Sequence, residues 1–337
     1  VPGPAAAPEG LTPQALAARV TALAGAAFTM DTRLALAVSG GGDSLALLWL
    51  AAHAFPGRAT ALGVDHGLRA GAAAELAAAA EAARSVGVTW VTLRLAVAPG
   101  PANVQAGARA ARYAALGDWC RANRVPLLLT AHHRDDLAET VLMRLMRGSG
   151  LSGLAGVRAR TELAGVTVLR PLLDRARAEL AAIVAAAGWT AADDPSNRDP
   201  RHDRTRARAL LAREASLDPA RLAASAAHLA DAEEALDWAA ARAWAGRVAR
   251  AGDALLLDTE ALPAELARRL LLQAVAELRG VAPDGPALAR LQRSLTAGRP
   301  ATLGGLAARP LPDGRWRLSP APPRRRRQPD GTAGDAV

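Results

Sequence analysis

A short apolar strand, Leu34 to Val38, runs through Ser39-Gly40-Gly41-Gly42-Asp43-Ser44 into an apolar helix that begins near Leu45. This junction restricts the chain to folds in which a strand hands over to a helix around a ligand. Three consecutive glycines let the backbone turn tightly and bring its N–H groups close to a bound group, and the helix start adds unpaired donors and a positive dipole end. That combination suits phosphate. A Walker loop would close on Gly-Lys-Ser or Gly-Lys-Thr, whereas this run closes on Gly-Asp-Ser and the chain contains no lysine at all. Phosphate charge must then be met by amides, arginine or a metal ion, and Asp43 is a carboxylate suited to hold such a metal. The same hexapeptide also reads as a plain glycine-rich turn closed by a capping serine.

Apolar, strand-like pieces recur at Leu34–Val38, Thr60–Asp65, Val88–Leu95, Pro126–Ala131 and Val166–Leu169. Segments long enough for crossover helices separate them, near Leu45–Ala54, Ala73–Ser85, Val104–Asn123 and Asp136–Arg147. The alternation predicts an α/β fold with a parallel, Rossmann-like sheet covered on both faces, and ligands in such sheets sit beyond the carboxyl ends of the strands. Three of those ends carry polar clusters: Ser39 to Ser44, Asp65-His66-Gly67, and His132-His133-Arg134-Asp135-Asp136. Convergence of the three at one edge has no purpose in a merely structural sheet.

At 337 residues the chain exceeds the size at which a single core usually stops growing, so a second, smaller domain is expected. The stretch Trp189–Asp203 reads as an ordered loop or hinge. Helices follow at Pro219–Val248, Pro263–Leu278 and Pro286–Leu295, with one short strand around Leu255–Leu257, which predicts a mainly helical C-terminal domain. The arginine row Arg324–Arg327 reads as part of a solvated tail.

The formal charge of +9 rests on arginine alone, which favours bidentate contacts to phosphate and makes a nucleic acid a plausible partner; coding bias toward Arg and Ala would give the same composition. Aromatics make up 3% of the chain, too few for an extended base-stacking platform. The single cysteine, Cys120, excludes an intrachain disulfide, a Cys-x-x-Cys redox pair and a multi-cysteine zinc site, and agrees with a reducing, cytoplasmic setting. No apolar run approaches the roughly 18 residues of a membrane span. The absence of lysine removes enzyme-bound lysyl adenylates and Schiff bases.

Among residues suited to chemistry, Asp136, Glu139 and Thr140 share one helix face by the three- and four-residue rule. Clustered acids of this kind suit a Mg²⁺ carrying nucleotide phosphates, or a substrate amine; equally, Asp135 and Asp136 cap the helix and Glu139 is solvated. His132 and His133 beside them favour a role for at least one in acid–base or phosphate chemistry. Arg109 and Arg112, ahead of Tyr113, reach a phosphate or pair with nearby acids. Arg147-Gly148-Ser149-Gly150 supplies a helix stop and a basic loop. The stretch Arg198, Arg201, Arg204, Arg206, Arg208 and Arg213 is interrupted by Asp199 and Asp203 and still leaves several arginines for a polyanion.

Taken together, these motifs resemble a known family. Ser39–Ser44 is similar to the signature loop of the PP-loop ATP pyrophosphatases. Val64-Asp65-His66-Gly67-Leu68-Arg69, Ala108-Arg109-Ala110-Ala111-Arg112-Tyr113, the Thr130 to Thr140 run, Arg147–Gly150 with Leu154, Arg170-Pro171-Leu172-Leu173 and Asp194-Pro195-Ser196-Asn197 closely resemble, in order, the tRNA(Ile)-lysidine synthetases within that group. The resemblance implies a carbon–nitrogen ligase that attaches free L-lysine to the wobble cytidine of tRNA(Ile) with a CAU anticodon, using ATP and Mg²⁺ through an adenylylated cytidine. It implies that Ser39, Gly40, Gly41, Gly42, Asp43 and Ser44 bind ATP, that Asp43 and Asp136 hold the metal, and that Asp43, Arg109, His133, Asp136 and Glu139 are catalytic. It further implies an N-terminal extension and helix over 1–30, a catalytic domain over 31–208, a mainly helical tRNA-binding domain over 209–319 and a disordered basic tail over 320–337; a homodimer is compatible with it. One departure stands out: Gln105 occupies a position where many members have glutamate. A sulfur-inserting tRNA enzyme on this fold usually needs further cysteines. A small-molecule amide synthetase would need no basic second domain, and a non-catalytic nucleotide module would release no pyrophosphate.

Overall fold

The computed structural model describes residues 10–65, 71–95, 104–192 and 203–321. Helix α1 (Pro13–Ala24) opens with Pro at its first position and with the Thr12 hydroxyl accepting the Ala15 amide at 3.1 Å, which satisfies one of the unpaired helix donors. Then follow β1 (Leu34–Ala37), α2 (Gly42–Ala54), β2 (Ala59–Asp65), α3 (Ala72–Ser85), β3 (Thr89–Arg94), α4 (Val104–Ala122), β4 (Leu127–Leu129), α5 (Arg134–Met146), the short α6 (Leu151–Leu154), β5 (Arg160–Leu163), β6 (Val166–Leu169), α7 (Arg177–Ala186), α8 (Asp203–Arg213) and α9 (Pro219–Arg247). The six strands order as β3-β2-β1-β4-β6-β5, all pairs parallel except β5 with β6.

Side-chain alternation divides the core between the two faces of this sheet. Leu34, Leu36, Leu127, Leu129 and Leu169 pack with α1, α2, α3 and α7, while Ala35, Leu62, Leu128 and Val168 pack with Tyr113, Leu116 and Cys120 of α4. Helix α2 is buried continuously from Ser44 to Ala52, as its apolar composition on every side requires. Because β1 lies between β2 and β4, the strand order reverses there, and the crevice at the carboxyl ends of β1 and β4 is the natural ligand position. Burial raises the Cys120 thiol pKa to about 11, so this cysteine is a packing residue and not a nucleophile.

The edge strand β5 is absent from the sequence expectation. Its hairpin turns through Ala164 and Gly165 with φ of 52° and 71°, a left-handed pair usually signalled by Asn-Gly, and alanine hides that signal. Gly63 in β2 faces the Trp90 ring so closely that an added Cβ would overlap it and lie 2.9 Å from Leu76 Cδ2. Gly63→Ala is therefore expected to cost about 1–3 kcal/mol; calorimetry showing an unchanged midpoint would refute this account of the packing.

The chain separates into two compact units after Asp231, within α9, and not after residue 208. The expected boundary is too early because α8 belongs with the first unit: Arg204 and Arg208 pair with Glu139 of α5, and Ala226 of α9 is buried against Leu137 and Val141.

In the second unit, β7 (Val248–Ala251), β8 (Ala254–Leu257), α10 (Ala264–Arg279), α11 (Gly285–Thr296), β9 (Ala301–Leu303), β10 (Leu306–Pro310) and β11 (Trp316–Pro320) complete the described chain. The expected helices are present, but a mainly helical reading omits an antiparallel five-stranded sheet, β7-β8-β11-β10-β9. Of its strands only β8 is legible in sequence, since the others run three to five residues through Arg, Ala and Pro with too few apolar positions to show alternation. Leu270, Leu271 and Val275 of α10 and Leu288, Leu291 and Leu295 of α11 cover Leu255, Leu257, Leu306, Trp316 and Leu318. Beneath α10, Arg269 is buried with Glu233 at 2.6 Å, Asp237 at 2.5 Å and Glu265 at 2.9 Å. Arg269→Ala would break this buried network from one side, an expected loss of about 3–5 kcal/mol, whereas Arg269→Met combined with Glu233→Leu should recover most of it. Urea denaturation of the three proteins measures both effects. Among the described residues no helix is long and apolar enough to cross a membrane.

Candidate active site

Gly40 has φ of 89°, a conformation only glycine adopts without strain, and a Cβ there would come within 3.1 Å of the Glu75 carbonyl oxygen. The loop is fastened by its own serines. The Ser44 hydroxyl donates to the Gly41 carbonyl at 2.8 Å and accepts the Ser39 amide at 3.2 Å, while the Gly40 carbonyl accepts the Ala192 amide at 3.0 Å. With Gly41 as N-cap, the amides of Gly42, Asp43 and Ser44 have no acceptor inside α2 and are turned to an incoming anion.

Asp43 in the first turn of α2 faces His133, the N-cap of α5. His133 is fully buried: in the neutral ring Nδ1 accepts the Asp135 amide at 3.2 Å, and the residue's own amide donates to Asp136 Oδ2 at 3.2 Å, closing a capping box. Its Nε2 lies 3.3 Å from Asp43 Oδ2 and 3.4 Å from Asp136 Oδ2, yet neither contact is aligned as a hydrogen bond. The ring thereby joins two carboxylates that come from the ends of different strands. Burial opposes a charge on this imidazole, but Asp135, Asp43 and Asp136 together raise its pKa to about 9. Burial likewise pushes Asp43 up, and its close contact with the His133 ring, with the charges of Arg177 and Arg208, outweighs that, leaving the carboxyl below its usual value. Asp135 is turned away into structure: its Oδ2 accepts the Arg177 amide at 3.0 Å, and His133 holds its pKa down to about 2.

Glu139 differs from one of its two sequence readings. Its buried carboxylate accepts Arg208 Nε at 2.7 Å and lies 3.2 Å from Arg204 Nε, so both oxygens are engaged by α8. What the geometry rules out is the alternative of a solvated Glu139: the side chain is buried and joins α8 to the site. Arg147 of the Arg-Gly-Ser-Gly segment pairs with Asp203 and fastens the start of the same helix.

Arg109 is placed in a second group rather than against Asp43, His133 and Asp136. Arg109 and Arg112 lie over the Tyr113 ring at 5.1 and 5.8 Å, and Tyr113 and Arg109 both act on the charge of the buried Arg170. His132, bonded to the Thr130 hydroxyl at 2.9 Å, is held well below its usual pKa by burial and by Arg170, Arg109, Arg204 and Arg112. Arg177, whose guanidinium is 3.8 Å from Asp43, is a site residue the sequence reading leaves out. So are the roles of Arg170 and Arg204, which stand in quoted motifs or charge runs but gain neighbours only through strand order. His66, Gly67, Asp194–Asn197, Arg198 and Arg201 fall outside the described residues, as do the tail beyond Ala321 and the Gln105 side chain; Pro320, expected to open the tail, instead ends β11.

The PP-loop domain family matches residues 14–215. The tRNA(Ile)-lysidine synthase of Novosphingobium aromaticivorans is 47% identical over 302 residues, covering 88% of this chain and 92% of that protein. The tRNA(Ile)-lysidine synthase of Zymomonas mobilis is 41% identical over 304 residues, covering 88% of this chain and 91% of the relative. Among solved structures, the U34-tRNA thiolase NcsA of Methanococcus maripaludis is similar in fold, with a TM-score of 0.51 at 16% identity over 65% of this chain and 78% of that one.

Proposed function

This chain belongs to the PP-loop domain family and, within it, to the tRNA(Ile)-lysidine synthases, and from that membership we propose that it joins free L-lysine to the wobble cytidine of tRNA(Ile) with a CAU anticodon at the expense of ATP. The observation that carries the reading to these residues is the meeting of Asp43, His133 and Asp136 beside a glycine loop shaped for phosphate. ATP lies with its pyrophosphate on the amides that open α2. The cytosine carbonyl oxygen attacks the α-phosphorus, and pyrophosphate leaves with the electrons of the broken P–O bond. The lysine ε-amine then attacks the activated ring carbon, loses a proton, and AMP departs.

Asp43 and Asp136 would hold Mg²⁺. The fit rests on two carboxylates, one from α2 and one from α5, that approach the same His133 Nε2 at 3.3 and 3.4 Å and so lie close to each other; among the described residues no group of three His, Cys, Asp or Glu side chains forms a metal cage. Two carboxylates with substrate phosphates and water are the usual arrangement for a nucleotide-borne Mg²⁺, whose chemistry here is neutralisation of the departing phosphate charge. His133, kept in place by its capping box, orients both carboxylates; when they are committed to a cation, the Asp135 amide on Nδ1 favours the neutral ring with its proton on Nε2. Asp136 is placed to receive the amine proton. Its partner in the sequence expectation, Glu139, contributes by holding Arg204 and Arg208.

The arginine surplus of the second unit suits contact with the tRNA, and a tRNA substrate agrees with a cytoplasmic enzyme. Incubation with ATP, Mg²⁺, labelled lysine and bulk tRNA tests the reading: label should enter an isoleucine tRNA with release of pyrophosphate. Folded protein that transfers no label under these conditions would overturn it.

A further inference from the structure

We propose that Arg109, Arg112, Arg170 and Arg204 form a second anion seat, separate from the glycine loop, that takes a phosphodiester group. This deepens the reading above by naming what the other half of the crevice holds. Its test uses no lysine transfer, so either proposal can fail alone.

Arg170 is 4% exposed; its Nη1 donates to the Arg158 carbonyl at 2.8 Å, and its Nε is buried without an acceptor. A guanidinium cannot shed its charge, so burying one without a carboxylate is unfavourable unless an anion joins it. Among the described residues no carboxylate lies within ion-pair distance of Arg109, Arg112 or Arg170, and the acids near Arg204 are Glu139, shared with Arg208, and Asp136 at 4.0 Å. Four cations thus gather with less than one carboxylate each. Burial, together with Arg109 and Arg204, also depresses Arg112, a sign of like charges held close. His132 stays neutral among them and adds no fifth charge.

The seat is distinct from the loop because α4, which supplies Arg109 and Arg112, covers the sheet face opposite α2. Arg170 follows β6 and Arg204 comes from α8, so guanidinium forks approach from three elements. A planar carboxylate accepts forks in one plane, whereas a tetrahedral phosphate offers oxygens in several directions. Two sources present that chemistry: the α-phosphate of ATP and a backbone phosphate of the RNA beside the target base.

The test follows thermal unfolding of the full chain at constant ionic strength while inorganic phosphate replaces chloride. Phosphate should raise the midpoint of the wild-type protein. Arg112→Gln should leave the phosphate-free midpoint equal or higher, because a repulsive charge is gone, and should lose half or more of the phosphate-induced rise; the remainder belongs to the glycine loop. An identical phosphate-induced rise in both proteins would overturn the proposal. Arg109→Gln, at an exposed position, repeats the comparison should Arg112→Gln not fold. Binding of each substrate alone then identifies the source. If the seat takes RNA, Arg112→Gln weakens tRNA binding about 10-fold and lowers the magnitude of its log–log salt slope by about one, with ATP affinity unchanged. If it takes ATP, the nucleotide affinity falls and the salt slope holds. Both substrates binding as to wild type would again overturn it.

Discussion

Asp43→Asn lowers the rate of tRNA-dependent pyrophosphate release by about 10²–10³-fold, equivalent to about 3–4 kcal/mol of lost transition-state stabilisation, while the fold is kept. The side chain is only partly covered and its carboxylate contacts Arg177 and His133 without supporting the core, so the loss falls on chemistry. Asparagine keeps the shape and removes the charge that would hold a divalent cation. The Mg²⁺ concentration for half-maximal rate should therefore rise about 10-fold or more, as loss of ligand charge weakens the site. Steady-state rates across a Mg²⁺ titration measure this. An unchanged Mg²⁺ dependence together with a lowered rate would show that Asp43 acts through His133 alone.

Glu139→Gln has the second large effect, and it acts through α8. The substitution removes the charge that Arg204 and Arg208 share, leaving two guanidiniums beside an already cationic crevice. Breaking such a pair from one side costs about 3–5 kcal/mol, and the expected readout is faster hydrogen exchange of the α8 amides together with at least a 10²-fold loss of lysine incorporation. Glu139→Gln combined with Arg208→Met should restore part of the exchange protection without restoring activity. Were Glu139 instead a receptor for the substrate amine, activity would vanish while α8 stayed protected. Hydrogen exchange and incorporation assays on the same samples separate the two.

These residues also mark how far the sequence can be read. The helices around the glycine loop, the five parallel strands and the position of the polar clusters at strand ends were all legible, because each depends on neighbours within one turn or one strand. Strand β5 was not, since Ala164 takes a left-handed turn position that its side chain disfavours. The sheet of the second unit was not, because strands three to five residues long bury too few side chains to leave a pattern. Within the site, Asp43, His133 and Asp136 were identified from motifs and do come together. Glu139 was identified as well, but its partners lie in an arginine run whose pairing no local rule decides.

The sequence by itself determined a phosphate loop that works without lysine and the alternation that sets it at the edge of a parallel sheet, because glycine conformation, helix starts and apolar runs are local properties. Tertiary structure alone decided that His133 bridges Asp43 and Asp136, that α8 closes on Glu139, and that the charges of four arginines reach His132. Those contacts arise where the strand order reverses between β1 and β4, and strand order is set by packing across the whole sheet.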